Sequence, residues 1–471
     1  MSLLSKFIQV PLSGLVRVLL GVYFRRIEVF HRERLPPGPV LVVANHPGSF
    51  TDAFILGTCL PRRGQFLAAA KLFRFAPIGW LLHRCGIIPL NRLEDDPTAM
   101  RSVTGSFAAA FRALEAGGMV VIFPEGLTYD DSRLRTLKSG AARLALELEQ
   151  RHGGQLGLQI VPLGLTYSAK ERFRSEVLVY LGNPILVANF LPQFAERRKE
   201  CISGLTAKIT RRLQALLVNL PEMEREHIVA AVKRLYFARL RLGNLLIREP
   251  VSALVEETVL TQAMVDALAF AEREMPDELA AFLVHLNRYE RLLAQLRLTD
   301  SAVEELAAHR HARARIYGVG LAGLGLFPVA LVGWMHWRPV TKLIDALSGR
   351  FLHVGKRKAQ AAHARMIGGL LIYVLAYGIF MTVAWTWLNP LHTLFYGLAL
   401  PVTGLVGHYY FAQAGRLYRG VRTAVVLLRA PLAKHRVLWM RAALLKRIEA
   451  MRARYRATLL PDGSRPVGEA D

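Results

Sequence analysis

Between residues 25 and about 219, short continuous apolar runs alternate with stretches whose apolar residues recur every three or four positions. The runs 38–45, 65–70, 118–123, 158–167 and 176–181 read as strands, and 100–116 and 137–150 as helices between them. Strands and helices in alternation predict an α/β class, a sheet flanked by helices. From Pro221 to Leu306 the pattern changes: charges of both signs mix with Leu and Ala at helical spacing, which predicts four or five helices and no strand. No repeat and no low-complexity tract is visible.

Further on, hydropathy dominates. No Lys, Arg, Asp or Glu occurs between Arg365 and Arg416. About 20 apolar residues cross a bilayer, so this stretch is long enough for two crossings, with Asn389-Pro390 as the turn. Tyr373, Tyr377, Trp385, Trp387, Tyr396, Tyr409 and Tyr410 supply aromatics of the kind found at membrane interfaces. A second uncharged stretch, 316–337, contains Gly318, Gly320, Gly323, Gly325 and Pro328. Basic residues flank it on both sides, which favours a re-entrant or interfacial hairpin over a single crossing. Leu3 to Phe24 is apolar but broken by Lys6, Pro11 and Arg17 and lacks a cleavage site; it reads as a helix lying on the membrane. From 413 to 456 the chain reads as one long basic helix, and the last dozen residues as disordered.

Charge refines the choice of partner. The formal net charge is +25, so partners are expected to be anionic. Nucleic acid, anionic lipid and phosphorylated substrates all qualify. The basic residues border the uncharged spans, with Arg313, Arg315, Arg338, Lys342, Arg350, Lys356, Arg357 and Lys358 among them. That placement points to lipid rather than nucleic acid, and to a cytosolic side for those borders. Cys59, Cys85 and Cys201 are too few and too scattered for a disulfide framework or a zinc site, so no metal is expected.

Candidate chemistry begins at Asn45-His46-Pro47-Gly48-Ser49-Phe50-Thr51-Asp52, directly after the 38–45 run. A histidine leaving a strand, with an acid a few residues on, can serve as a base with its own orienting carboxylate. The same residues also fit a capping box, with Ser49 as N-cap and Asp52 at N3. Three further runs bear on the choice. Gly86–Arg92 is a short strand-like run whose closing Arg92 could hold a phosphate bidentately. Phe123-Pro124-Glu125-Gly126 interrupts an apolar strand; Glu125 could bind a substrate hydroxyl, and Gly126 could bring a backbone N–H to an oxyanion. Val161–Tyr167 is a strand carrying an early proline.

These four runs, in this order, resemble the four motifs of the glycerolipid acyltransferase superfamily over roughly residues 36–185. The superfamily contains the 1-acylglycerol-3-phosphate and glycerol-3-phosphate acyltransferases. His46 and Asp52 stand one residue further apart than in its common pattern. That spacing, with Leu137–Leu146 and Lys170–Ser175, resembles the fungal-type glycerol-3-phosphate/dihydroxyacetone-phosphate acyltransferases and their bacterial relatives. Leu127-Thr128 stand where lysophosphatidate-acylating enzymes have Thr-Arg, and Thr128-Tyr129 where the subgroup often has Ser-His, so the acceptor stays open.

The resemblance implies an acyltransferase-type mixed sheet flanked by helices, followed by an all-helical segment and C-terminal membrane helices. The expected layout is an N-terminal membrane-associated helix (1–24), an acyltransferase domain (25–219), a helical segment (220–315), membrane-embedded segments (316–412), and a basic amphipathic helix with a disordered tail (413–471). It implies a membrane-bound O-acyltransferase of phospholipid synthesis at the cytoplasmic membrane, with its catalytic domain facing the cytosol. His46 would be the general base and Asp52 the orienting acid. Arg92, Glu125 and Gly126 would shape the acceptor site, and Lys71 and Arg174 could add positive charge. The donor would be acyl-CoA or acyl carrier protein, the acceptor glycerol-3-phosphate, lysophosphatidate or another lysophospholipid, and no cofactor is required. A non-catalytic lipid-binding protein on the same fold is the competing expectation.

Overall fold

The computed structural model describes residues 3–90, 103–126, 134–169, 173–217, 227–236, 253–307, 312–351 and 358–459. Arg92, the motif residues 127–129 and 170–172, the basic residues 356–357 and the tail from 460 lie outside these ranges. The chain divides into two compact units, one made of 1–219, 252–258 and 348–367, the other of 220–251, 259–347 and 368–471.

The first unit is built on an eight-stranded mixed sheet. Its strands are β1 (Phe24–Phe30), β2 (Val40–Ala44), β3 (Gly64–Ala69), β4 (Ile88–Leu90), β5 (Met119–Ile122), β6 (Gln159–Tyr167), β7 (Ser175–Leu181) and β8 (Ile185–Leu186). They lie in the order β1-β7-β6-β2-β5-β3-β4, with β8 beside β6. β2 runs parallel to both β5 and β6, and β3 parallel to β5 and β4. β7 and β8 pair antiparallel with β6. The carboxyl ends of β2, β3, β4, β5 and β6 therefore share one edge of the sheet.

The apolar runs are continuous because both faces of the sheet are covered. Side chains alternate along each strand, so β2 divides its residues between two cores. Leu41 and Val43 join Val120, Ile122 and Ile160 under α4 (Val103–Glu115), α5 (Gly140–Arg151) and α6 (Arg198–Gln214). Val40, Val42 and Ala44 join Val121, Val161 and Leu163 under α1 (Leu3–Tyr23) and α2 (Phe50–Cys59). A short α3 (Ala76–Arg84) precedes β4. The five strands expected from the sequence occur within two residues of their expected bounds.

β1 departs from expectation. Phe24 leaves the N-terminal helix and opens an edge strand that pairs parallel to β7. Its charged residues hid it: Arg25 is satisfied by Glu176 across the strands at 3.2 Å and Arg26 by Glu28 at 2.8 Å. An edge strand tolerates charge that a central strand would not.

After residue 219 every described element is a helix: α7 (227–236), α8 (Ala253–Glu274), α9 (Pro276–Leu296), α10 (Asp300–Ala307), α11 (Ala312–Phe351), α12 (Lys358–Trp387), α13 (Pro390–Arg429) and α14 (Pro431–Leu459). Two expectations are corrected here. The stretch 316–337 is not a hairpin; α11 runs through it unbroken, with Pro328 and Pro339 inside. Close packing on α13 supports it: a Cβ on Gly333 would meet the Thr403 carbonyl at 1.8 Å, and one on Gly407 the Ala330 carbonyl at 2.9 Å. Glycine at a helix crossing lets the two backbones approach, which local propensity does not report. The basic stretch 413–456 is not one helix either; it breaks at Ala430-Pro431, where proline starts a new helix. The turn at Asn389-Pro390 is as expected, with the Asn389 side chain accepting the His392 N–H at 2.9 Å. Among the described residues, Pro390–Gly415 is long and apolar enough to cross a membrane, and Leu371–Trp387 is apolar but shorter.

Candidate active site

β2 ends at Ala44 and delivers Asn45 and His46 to the shared edge of the sheet. Asn45 fixes that end, donating to the Leu165 carbonyl at 2.9 Å and accepting the Leu165 N–H at 2.7 Å. The chain then turns through Pro47 and Gly48 into α2, which carries Asp52 in its first turn.

Nδ1 of His46 lies 2.9 Å from Oδ2 of Asp52. A carboxylate can only accept, so Nδ1 carries the proton and Nε2 keeps a free lone pair. Asp52 is fully buried, whereas His46 is partly exposed. Oδ2 also takes the Gly48 N–H at 2.8 Å, and Oδ1 accepts the hydroxyl of Tyr167 at the end of β6. Burial, then the neighbouring Asp52 charge, push the Tyr167 phenol well above its ordinary range, so it stays a donor.

This arrangement replaces the capping box. Ser49 sits at φ 56° and ψ −131° and makes no side-chain cap bond. Both oxygens of Asp52 turn away from the helix start, towards His46, Gly48 and Tyr167. Gly48 is required by space: a Cβ there would lie 2.6 Å from both Asp52 Oδ1 and the Tyr167 hydroxyl.

The imidazole is held from its flat side as well. Phe123, just after β5, stacks on His46 with ring centroids 4.0 Å apart and planes 17° from parallel. Glu125 is buried, and its Oε1 accepts the His46 backbone N–H at 3.2 Å, joining the ends of β2 and β5. The Gly126 N–H, expected to face an oxyanion, closes a turn onto the Phe123 carbonyl at 3.2 Å. Gly126 has φ +75°, and a Cβ there would meet Cε and Nζ of Lys138 at 3.0 Å. The Lys138 backbone N–H in turn donates to the Pro124 carbonyl at 2.9 Å.

Lys71 is exposed in the short turn that follows β3, at the same edge. β4 ends at Leu90; Arg92 is not among the described residues. Arg174, expected to add charge for a substrate, serves the end of α1. Its side chain donates to the Gly21 carbonyl at 3.0 Å and its backbone N–H to the Tyr23 carbonyl at 2.7 Å. A guanidinium on the last carbonyls of a helix is a cap.

Tyr167, Phe123 and Lys138 were missed as site residues. The signal for Tyr167 was its position in β6: two residues after Leu165 and four after Leu163, it shares their face and meets α2. Burial pushes the thiol of Cys59, at the end of α2, up to about 12, which disfavours the thiolate. Among the described residues no group of three or more His, Cys, Asp and Glu could hold a metal ion.

The acyltransferase family model matches residues 26–166. An uncharacterized acyltransferase of Schizosaccharomyces pombe is 25% identical over 47% of this chain and 46% of its own length. A glycerol-3-phosphate O-acyltransferase of Saccharomyces cerevisiae is 26% identical over 54% of this chain and 34% of its own. A chloroplastic 1-acyl-sn-glycerol-3-phosphate acyltransferase of Arabidopsis thaliana is 31% identical over 32% of this chain and 39% of its own. The chain thus spans between about a third and a half of the length of these curated relatives.

Proposed function

We propose, from the match of residues 26–166 to the acyltransferase family model and the likeness to glycerol-phosphate and acylglycerol-phosphate acyltransferases, that the protein transfers a fatty acyl group from a thioester to a hydroxyl of glycerol-3-phosphate or a lysophospholipid such as lysophosphatidate. The carrying observation is the chain Tyr167–Asp52–His46, which fixes the imidazole with Nε2 free at the sheet edge.

Nε2 removes the acceptor proton as its oxygen attacks the thioester carbonyl. The new C–O bond gives a tetrahedral oxyanion. Its collapse breaks the C–S bond, and the imidazolium returns the proton to the leaving thiolate. Asp52 holds the tautomer and stabilises the imidazolium, part of a general-base contribution of ~10²–10⁴-fold. The reaction needs no metal or redox cofactor. Lys71, Arg92 and Lys138 supply positive charge for the acceptor phosphate, and Glu125 positions the base through the His46 backbone.

The same reading puts the protein at a membrane, with the catalytic domain on the cytosolic side. The apolar stretches of α12 and α13, with exposed Leu371, Leu375, Trp385, Trp387 and Phe395, support a membrane hairpin. The basic residues bordering the uncharged stretches support the orientation.

The test is a purified-enzyme assay with one labelled acyl-CoA against a panel of glycerol-phosphate and lysophospholipid acceptors. Wild type should acylate a member of the panel. His46→Ala should lose transfer while keeping its membrane association and melting temperature; a folded, active His46→Ala enzyme would sink the mechanism.

A further inference from the structure

We propose that a cationic groove between α5 and α6 binds the adenosine 3′,5′-bisphosphate end of a coenzyme A thioester. The inference rests on the acyltransferase reading and names the donor class which that reading leaves open.

The groove has a volume of about 920 Å³ and is lined by Arg135, Arg143, Arg198, Lys199 and Arg211. Among the described residues no Asp or Glu lines it. Glu147 of α5 pairs with Arg143 at 2.9 Å and with Arg198; one carboxylate shared by two guanidiniums leaves positive charge in the groove, to which the exposed Lys199 and Arg211 add. Such a surplus in a concave site suits a small ligand with several negative charges. The volume is of small-ligand size, roughly 300–1,000 Å³.

The hydroxyls refine the ligand. Thr206 and Thr210, both in the lining, donate their hydrogens to the Ile202 carbonyl at 2.7 Å and the Thr206 carbonyl at 2.8 Å. Only their lone pairs remain for a ligand. Cations beside acceptors match a phosphorylated nucleoside, whose amine and free 2′-hydroxyl donate, better than bare phosphate.

The groove is also joined to the catalytic edge. Leu137 and Ser139 line it, and Lys138 between them reaches Gly126, beside the carboxylate that holds the His46 backbone. A donor with its charged end in the groove would extend its thioester arm past Lys138 towards His46.

The experiment uses the full chain in detergent micelles and the double variant Lys199→Gln/Arg211→Gln, both positions being exposed. Calorimetry with adenosine 3′,5′-bisphosphate should show binding to wild type, weakened ~tenfold or more in the variant, since removing one charge-assisted hydrogen bond has an effect of that order. In steady-state assays the KM for acyl-CoA should rise by a similar factor, with kcat, the acceptor KM and the rate with acyl-pantetheine unchanged. No bisphosphate binding to wild type, or equal binding to the variant, overturns the proposal. A rise in KM for acyl carrier protein alone overturns it in favour of a protein carrier. Loss of binding to phosphatidylglycerol vesicles without change in nucleotide binding overturns it in favour of lipid. Intact bisphosphate binding in a protein without transferase activity would instead overturn the acyltransferase reading and leave the nucleotide site standing.

Discussion

Tyr167 and Asp52, 115 residues apart in the chain, meet in a hydrogen bond from the phenol to Oδ1 of a fully buried carboxylate. The carboxylate's other oxygen holds His46 and Gly48. One side chain at the end of β6 therefore sets the position of an acid in the first turn of α2.

Tyr167→Phe removes that donor and leaves a buried acceptor oxygen unmet. A hydrogen bond to a charged group is worth ~1.5–3 kcal/mol, so kcat should fall about 10- to 100-fold with KM little changed. The pH dependence follows from the raised phenol. A group whose folded pKa is raised contributes stability fully below its unfolded value, near pH ~10 for tyrosine, and loses it as pH rises further. The stability gap between wild type and Tyr167→Phe should be constant from pH ~6 to ~9 and narrow above ~10. Denaturant melts across that range would refute the assignment if the gap widened.

The two site glycines should respond differently to alanine. At Gly48 the new Cβ would sit 2.6 Å from Asp52 Oδ1 and from the Tyr167 hydroxyl, so the dyad must shift. A displacement of ~1 Å at a catalytic group costs ~100-fold in rate. At Gly126 the nearest atoms are the flexible end of Lys138 at 3.0 Å, and the φ of +75° adds strain of about 1–2 kcal/mol. Gly48→Ala should be the more damaging by at least ~tenfold in kcat; the reverse order would contradict the geometry.

In the helical unit, Arg441 and Asp300 form a buried pair at 3.0 Å, and Tyr289 donates to the same Asp300 oxygen at 2.6 Å. Asp300→Ala leaves a guanidinium that is 9% exposed without its nearest carboxylate, with Glu304 still facing it at 3.5 Å. Removing one partner of such a pair costs about 3–5 kcal/mol. Circular dichroism melts should show that loss, and the double variant Asp300→Leu/Arg441→Met should recover much of it.

Cys59 should be inert in the folded protein. With its thiol pushed up to about 12 by burial, almost no thiolate exists at pH ~8.5. Iodoacetamide at that pH should label Cys59 only after denaturation. Mass spectrometry showing rapid labelling of the native protein would contradict its placement.

Much of the fold was legible in the chain because burial writes itself as runs. Residues 40–44 and 119–122 are apolar at every position because both faces of their strands are covered. The dyad was legible as spacing, though Ser49 equally suggested a cap. That alternative failed because Asp52 spends its lone pairs on His46, Gly48 and Tyr167, a choice no local pattern records. Arg174 read as a spare cation; it is engaged by carbonyls some 150 residues earlier. Gly318, Gly320, Gly323 and Gly325 suggested a break, yet α11 runs through them, and its close packing on α13 comes further along, at Gly333.

The sequence by itself determined the strand–helix alternation, the acyltransferase motifs and the placement of charge around apolar stretches, since each depends on residues near one another in the chain. Only the tertiary structure decided which oxygen of Asp52 meets which donor, that Gly126 closes a turn, and that Tyr167 and Phe123 fix the dyad. Those outcomes depend on β2, β5 and β6 lying side by side with their carboxyl ends at one edge. Pairings between strands distant in sequence leave no periodicity along the chain.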